Sequence, residues 1–242
     1  MEITQKYYPK LQFTSRCNPI KPYIVKTKAG ELIRIYEPTK EELQREGFVE
    51  NLVNMFCRNF TKDTNDPAWL RFQNPNFAEL FKKFKRNFVD EIKALIEYDN
   101  GHVTILAVKN QQGKLCGGMI SHGFDEIPKM KNSVLYIADI AVDSKYRHMG
   151  IAKSLIEETA KAEKKDFTDI FLVGENTAAG FYEGIGFKTL KKNNKSQNTI
   201  MEYMKSMRFD YPDYVNLYTK PLQKDKPRWY HKAAEIINKL IP

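Results

Sequence analysis

The stretch that decides the fold is VLYIADIAVDSKYRHMGIAKSLIEETAKAEKK, Val134 to Lys165. Its first part is almost wholly apolar, its middle is polar and ends in glycine, and its last part repeats apolar residues at helical spacing. This pattern predicts a buried strand, a turn and a helix. The turn carries Arg147, Gly150 and Ala152 in the order R-x-x-G-x-A. Because the first N–H groups of a helix lack helical partners and lie at its positive end, small residues here predict a pyrophosphate cradle.

The turn alone fits two interpretations. It lacks the Gly-Lys-Ser/Thr of a Walker loop and the three glycines of the dinucleotide fingerprint. A plain strand-to-helix connection, in which glycine eases close packing, fits it equally well. A second signal elsewhere in the chain has to decide between them.

Length and charge predict one domain with extensions at both ends. The chain has 242 residues, enough to bury a substantial core, and a net charge of +9. We expect an extended arm over residues 1–30, a central domain over 31–206, and a C-terminal extension over 207–242 that ends in a helix. The positive excess lies mostly in the two ends, where solvated tails and an acidic partner are both compatible with it. Specific nucleic-acid motifs are absent, so RNA or DNA binding has no motif to support it.

Several protein classes are disfavoured by what the sequence lacks. No apolar run is long enough to cross a bilayer, and the start MEITQKYYPK has no signal-peptide core, which predicts a soluble cytoplasmic protein. Cys17, Cys57 and Cys116 lie far apart and form no C-x-x-C pair, and the four histidines show no ligand spacing. The sequence therefore predicts neither a disulfide framework nor a metal site.

The periodicities predict the element order β-α-α-β-β-β-α-β-α-β-β, a mixed α/β sheet with helices on its faces. A capping box at Thr39 opens a helix to about Asn59, and apolar residues from Phe77 onward mark the next helix. The predicted strands are 32–36, 103–109, 114–122, 134–142, 168–173, 187–191 and 199–204, and residues 212–227 are expected to have no regular structure.

Two motifs, taken together, resemble the GNAT superfamily of acyl-CoA-dependent N-acetyltransferases. The first is the I-x-x-I-x-V run that begins at Ile137 and leads into R-x-x-G-x-A. The second is N-x-x-A-x-x-Y-x-x-x-G-F, from Asn176 to Phe187. Both occur at the separation usual in that family, within a region, Gly30 to Met207, whose predicted element order also matches. The resemblance implies the GNAT fold and acetyl-CoA as co-substrate, without a metal.

The resemblance also implies a set of CoA-binding residues. Main-chain N–H groups of the cradle would hold the pyrophosphate, and the end of the preceding strand would pair with the pantetheine arm. Asn176 would hydrogen-bond that arm, and Tyr182 would lie near the thioester sulfur. Ser144 and Ala152 depart from the proline and glycine that are frequent in the family. The cradle residues are Arg147, His148, Met149, Gly150, Ile151 and Ala152, and the strand residues are Ile140, Ala141 and Val142.

Direct attack by an amine on a thioester needs an acid for the departing thiolate and a neutral nucleophile. Tyr182 is the expected acid, because adjacent Phe181 could supply the packing that its helix needs. Asp139 and Glu175 are the candidate bases, both near the place where their two strands diverge. Each could equally be a structural carboxylate. Some relatives that acetylate protein N-termini carry a glutamate where this chain has Phe171.

The expected function is transfer of an acetyl group from acetyl-CoA to an amine in a ternary complex, on a small molecule or a protein. We expect acceptor choice to lie between Thr39 and Asp99. One rival is acetylation of an RNA-borne amine, as in toxins that act on aminoacyl-tRNA, and it is motivated by the basic ends. Another is a CoA-binding regulatory module without turnover. The sequence leaves a homodimer open.

Overall fold

The computed structural model describes residues 20–27, 30–60, 77–97, 103–124, 134–163, 167, 169–189 and 215–222. Within them, eight strands form a single sheet in the order β1-β2-β3-β4-β5-β6-β8-β7. The strands are β1 Tyr23–Lys26, β2 Leu32–Tyr36, β3 Val103–Lys109, β4 Leu115–Phe124, β5 Val134–Val142, β6 Asp169–Glu175, β7 Lys188–Thr189 and β8 Val215–Pro221. The helices are α1 Lys40–Leu43, α2 Phe48–Phe60, α3 Phe77–Glu97, α4 Ile151–Glu163 and α5 Ala179–Gly184. The predicted mixed α/β fold is confirmed.

Strands β5 and β6 run parallel, whereas the other neighbouring strands of the sheet pair antiparallel. A parallel pair needs a crossover connection, and α4 supplies it. The hairpin of β3 and β4 turns at Gly113, whose φ of +73° is accessible to glycine without strain. Its two strands are those predicted at 103–109 and 114–122.

The predicted first helix is two helices. The Thr39 side chain accepts a hydrogen bond from the Glu42 N–H, so the predicted N-cap is confirmed. The chain then leaves the helical path, and α2 begins at Phe48. Gly47, with a φ of +79°, lies at the break. A left-handed residue cannot continue a right-handed helix, which explains why the pattern divides there.

Each face of the sheet carries its own hydrophobic cluster. Helices α2 and α3 cover one face, with Leu52, Phe56 and Ile92 among its buried residues. The other face is covered by α4 and α5, which bury Leu155 and Ile156. The stripe predicted for α3 is confirmed in its second half, where Phe88, Ile92 and Ile96 are buried. None of the described helices is both long and apolar enough to span a membrane.

A glycine brings α2 close to the sheet. A Cβ atom added at Gly118 would lie 2.9 Å from the Leu106 carbonyl oxygen and 3.1 Å from Cδ1 of Leu52. Both distances are shorter than ordinary van der Waals contact, so this position on β4 has no room for a side chain. The packing of α2 therefore depends on Gly118.

Two strands of the sheet come from the predicted N-terminal arm and C-terminal extension. β1 comes from the arm and pairs with β2, and β8 comes from the C-terminal stretch and lies between β6 and β7. The prediction that residues 212–227 have no regular structure is wrong for Val215–Pro221. Two other predicted segments lie outside the described residues, namely the strand 199–204 and the helix at the end of the C-terminal extension.

Candidate active site

The candidate site lies where β5 and β6 separate. Among the residues that the structure describes, the two strands pair only through Val134–Ile137 of β5 and Asp169–Leu172 of β6. Beyond that point β5 continues along β4 as far as Val142, while β6 continues along β8 as far as Glu175. The edges of the two strands that face each other are therefore left without strand partners, and the sheet opens there into a gap.

A bulge in β5 coincides with the opening of the gap. Ile137 lies opposite Ser121 and Asp139 lies opposite Ile120, so Ala138 has no partner on β4. An extra residue of this kind bends a strand and increases its twist. The bulge thus turns the end of β5 away from β6.

Backbone alternation decides which residues of β5 point into the gap. The Asp143 N–H donates to the Cys116 carbonyl of β4 at 2.8 Å. Because successive backbone groups of a strand point to opposite sides, those of Ala141 also face β4, and those of Ile140 and Val142 face the gap. Of the three predicted strand residues, Ile140 and Val142 therefore present hydrogen-bonding groups to it.

The predicted cradle follows β5 directly. After a short 3₁₀ turn at Ser144–Tyr146 the chain passes through two left-handed residues, His148 at a φ of 62° and Gly150 at 80°, and then enters α4. In the described part of the chain, the N–H groups of His148, Met149 and Gly150 have no hydrogen-bond acceptor. A Cβ atom built on Gly150 would meet nothing within 4 Å. Free donors, open space and the start of a helix together suit a phosphate group.

Neighbouring residues hold the cradle in place. The Tyr146 hydroxyl donates to Glu31 at 2.8 Å and accepts from the Asn110 amide at 3.1 Å, and its ring is buried. The Arg147 Nε donates to the Val142 carbonyl at 3.1 Å. The loop is therefore attached to the β1–β2 turn, to the β3–β4 turn and to the end of β5.

Asp139 lies on the face of the sheet that α2 and α3 cover, because it pairs with Ile120, a member of that hydrophobic cluster. Burial raises the pKa of its carboxyl from 3.8 to about 7, and Glu91 of α3 adds to this by repulsion between like charges. A carboxyl group with a pKa near neutrality can accept a proton and release it again at physiological pH. The structure therefore gives Asp139 the electrostatic setting of a base.

Behind Asp139, three aromatic rings cross three strands on the same face. The His122 and Tyr136 ring centroids are 5.2 Å apart in an edge-to-face arrangement, and Tyr136 stacks on Phe171 at 4.8 Å. Burial lowers the pKa of His122 to about 4, so its imidazole is neutral at pH 7. The three rings form an aromatic floor on the same face of the sheet as Asp139.

Tyr182 lies on the opposite face, against β6 at the edge of the gap. A Cβ atom on Gly174 would lie 2.6 Å from Cε2 of the Tyr182 ring, so this glycine makes room for the ring. The Tyr182 ring is 5.0 Å from the Tyr218 ring and only 7% exposed. The expectation that Phe181 provides the packing is wrong, since Phe181 is 39% exposed. Tyr182 packs its helix onto the sheet and also borders the gap.

For the remaining predicted residues, Glu175 and Asn176, the structure gives the position of the main chain. Glu175 ends β6 opposite Val215, and Asn176 begins the 3₁₀ turn Asn176–Ala178 that leads into α5. Both residues thus lie at the β6 side of the gap, opposite Asp139. Their side chains are outside the part of the structure that is described.

Sequence reasoning missed the groups that reach the site from α2 and α3. Glu91 lies off the apolar stripe of its helix, like any solvated residue. Arg58 and Asn59 are more than eighty residues from Asp143, yet both hydrogen-bond its carboxylate. No local pattern could have indicated these pairs. The described residues contain no group of three or more His, Cys, Asp or Glu side chains that could hold a metal ion.

Comparisons with known proteins identify a family that part of the chain resembles. Residues 99–189 match the family model of the acetyltransferase (GNAT) domain. No curated protein matches the chain in sequence.

Solved structures similar to the chain include a protein from Pyrococcus horikoshii OT3, with 17% identity, a TM-score of 0.52, and coverage of 79% of this chain and 99% of that one. A PaiA N-acetyltransferase from Thermoplasma acidophilum, solved in complex with coenzyme A, gives 16% identity and a TM-score of 0.49, with coverage of 78% and 98%. An aminoglycoside acetyltransferase from an uncultured soil metagenomic sample gives 20% identity and a TM-score of 0.44, with coverage of 67% and 91%.

The matched residues include strands β3 to β6, the cradle and the helix that carries Tyr182. The predicted resemblance to the GNAT superfamily is confirmed over these residues.

Proposed function

We propose that this protein transfers an acetyl group from acetyl-CoA to an amine, by direct attack within a ternary complex. The observation that carries the proposal is the continuity of the gap with the cradle. Unpaired backbone of β5 leads directly into free N–H groups at the start of α4. A pantetheine arm joined to a pyrophosphate has the same succession of amide groups and anion.

The cradle would hold the pyrophosphate through its main chain. The donors are the free N–H groups between His148 and Gly150 and those of the first turn of α4, where Ile151 and Ala152 lie. These donors gather at the positive end of the α4 dipole, which favours an anion. Arg147, exposed beside them, adds a positive charge.

The gap would hold the pantetheine arm as an added strand. Ile140 and Val142 direct main-chain groups into the gap, and an extended ligand can pair with such an edge. The Val142 carbonyl already accepts from Arg147, which leaves its N–H and the groups of Ile140 for the arm. By resemblance to the family, Asn176 would bond the arm from the β6 side.

Asp139 is the proposed base. A primary amine with a pKa near 10.4 is mostly protonated at pH 7 and has to lose a proton before it can attack. The raised pKa of Asp139 allows its carboxylate to take that proton near neutral pH. Glu175 stays a second candidate by its position at the end of β6.

Tyr182 is the proposed acid. As the amine nitrogen bonds to the thioester carbon, the carbon–sulfur bond breaks and the leaving thiolate takes a proton. Tyr182 and Asp139 belong to opposite faces of the sheet, on the two sides of the gap. The proposed proton acceptor and proton donor can therefore reach the reacting group from the two sides of the gap.

The acceptor is expected on the α2–α3 face, where Asp139 and the aromatic floor lie. An aromatic floor on the same face as a carboxylate suits an amine carried on an apolar or aromatic stem. The exposed lysines and arginine of α3 keep an RNA-borne amine as a second acceptor class to be tested.

The test is turnover on a panel of amines, scored by release of the CoA thiol and by mass spectrometry of the product. The panel contains diamines, aromatic monoamines, a lysine peptide, an N-terminal peptide and aminoacyl-tRNA. Several turnovers per enzyme on any of these amines would support the proposal. If CoA binds but no amine is acetylated, a regulatory CoA-binding role replaces it.

A further inference from the structure

Asp143 occupies the junction between β5 and the cradle. Its N–H donates to Cys116 of β4 at 2.8 Å, and its carbonyl accepts from the Tyr146 N–H at 2.8 Å. The main chain of Asp143 therefore ties the end of the strand to the turn that precedes the cradle.

The Asp143 carboxylate is held by the end of α2. The Arg58 Nη2 donates to Oδ1 and Oδ2 at 2.8 Å each, and its Nε donates to Oδ1 at 3.2 Å. The Asn59 amide donates to Oδ1 at 2.7 Å and to the Met55 carbonyl at 2.9 Å. A bidentate guanidinium and a buried amide fix both the position and the rotation of a carboxylate.

The setting makes this interaction stronger than an ordinary surface pair. Asn59 is 6% exposed, and the side chains of Arg58 and Asp143 are 35% and 19% exposed. For comparison, Lys93 and Glu50 form an ion pair between α3 and α2 whose side chains are 50% and 43% exposed. Exposed pairs of that kind contribute little to stability.

Charge gives Arg58 a second effect. Asp143 lies four residues before Arg147, the first residue of the cradle, so an unpaired carboxylate there would repel a pyrophosphate. Arg58 neutralises it. The Arg58–Asp143 pair thus both positions the loop and removes a repulsive charge from its surroundings.

We propose that Arg58 and Asn59 are positioning residues for CoA binding, acting through Asp143 to set the cradle from the end of α2. The inference rests on the proposed function, because it requires the cradle to bind the CoA pyrophosphate. It adds that the helix on the acceptor side of the sheet determines affinity on the cofactor side. None of these residues needs to touch CoA.

The test measures CoA affinity by calorimetry in Arg58→Ala, Asp143→Asn and the double variant. Arg58→Ala should weaken CoA binding at least about tenfold, because it frees the loop and leaves a carboxylate unpaired. Asp143→Asn should weaken it less, since the charge is removed along with the pair. The double variant should bind no worse than Arg58→Ala, because both changes break one interaction.

Two controls separate positioning from general destabilisation. Pantetheine, which has no phosphate, should bind all the variants as it binds wild type when followed by saturation-transfer NMR. Lys93→Ala removes a different ion pair of α2, the one with Glu50, and should leave CoA affinity unchanged.

Three results would overturn the inference. They are unchanged CoA affinity in Arg58→Ala, losses that multiply in the double variant, and equal losses for pantetheine and CoA. Multiplying losses would make Arg58 a direct phosphate ligand. If wild type itself binds no CoA, the proposed function fails before this inference is reached.

Discussion

At the scale of residues, the site combines groups that sequence patterns reveal with groups that only the fold brings together. Gly150 could be singled out from the sequence because its neighbours form a motif, and Asp139 because it is a charge within an apolar strand. The raised pKa of Asp139 could not be predicted, since Glu91 reaches it from another helix. Burial and repulsion depend on tertiary packing, which local sequence does not encode.

Asp139→Asn is expected to lower kcat/KM about 100-fold or more, because general base catalysis contributes at least that much. The wild-type rate should rise with pH through about 7, as the carboxyl loses its proton. Glu91→Gln should move this rise to lower pH, since it removes the repulsion that raises the pKa. A pH–rate profile that is unchanged in both variants would exclude Asp139 as the base.

The same carboxyl should make stability depend on pH. Its pKa is about 7 in the folded protein and near 3.8 in the unfolded chain, so the folded state holds the extra proton between these values. The free energy of unfolding of the wild type should therefore fall as pH rises from about 4 to about 7, by at most about 4 kcal/mol. Urea titrations of wild type and Asp139→Asn should diverge over this range, and parallel curves would contradict the raised pKa.

Tyr182→Phe should bind CoA as wild type does but turn over about 100-fold or more slowly, because it removes the proposed proton donor and keeps the ring. Tyr218→Phe is the matched control. Its ring packs beside Tyr182, and its hydroxyl is buried without a hydrogen-bond partner among the described residues. That control should keep full activity. Equal rates for Tyr182→Phe and wild type would leave Tyr182 with packing alone.

At the scale of elements, local signals predicted the strands and helices that carry strong periodicity. The Thr39 cap and the stripe of α3 both appear in the structure. The break at Gly47 was missed because a helical stripe continues on both sides of it. β1 was missed because prolines before it indicated irregular chain, although its four residues can alternate as an edge strand.

Gly118→Ala tests the approach of α2 to the sheet. The added methyl would press on the Leu106 carbonyl and on Leu52, which should lower the free energy of unfolding by about 1–3 kcal/mol. Gly180→Ala is the control, since nothing lies within 4 Å of that helical position. It should stabilise by about 0.5–1 kcal/mol. Chemical denaturation measures both, and a neutral Gly118→Ala would mean that α2 packs more loosely.

At the scale of the whole molecule, the sheet is completed by strands that are far apart in the sequence. β8 comes after the predicted end of the central domain, yet it pairs with β6 along seven residues and buries Tyr218 completely. The alternation of apolar and polar residues in β8 is short and ends at Pro221, so the prolines of this segment predicted irregular structure instead of a strand. The residues of β6 that pair with β8 lie 40 to 52 positions earlier in the sequence, so no local pattern indicates the pairing.

A chain that ends at residue 206 should fail to fold, because β6 and β7 would both lose the strand between them. A chain that ends at residue 222 keeps β8 and separates its effect from that of the last twenty residues. The chain that ends at residue 222 should unfold cooperatively on heating, whereas the chain that ends at residue 206 should show no cooperative transition by circular dichroism. Equal stability of the two chains would contradict the place of β8 in the sheet.

The most direct measurement of the central claim is the affinity of the protein for CoA and acetyl-CoA by calorimetry, in wild type and three glycine variants. Gly150→Glu puts a carboxylate where the pyrophosphate is proposed to bind, and Gly150→Ala imposes backbone strain without the charge. Gly113→Glu makes the same change at another left-handed glycine with open space around it. Wild type and Gly113→Glu should bind both ligands, Gly150→Ala more weakly, and Gly150→Glu not at all. Absence of binding to wild type, or equal binding by Gly150→Glu, would contradict the account.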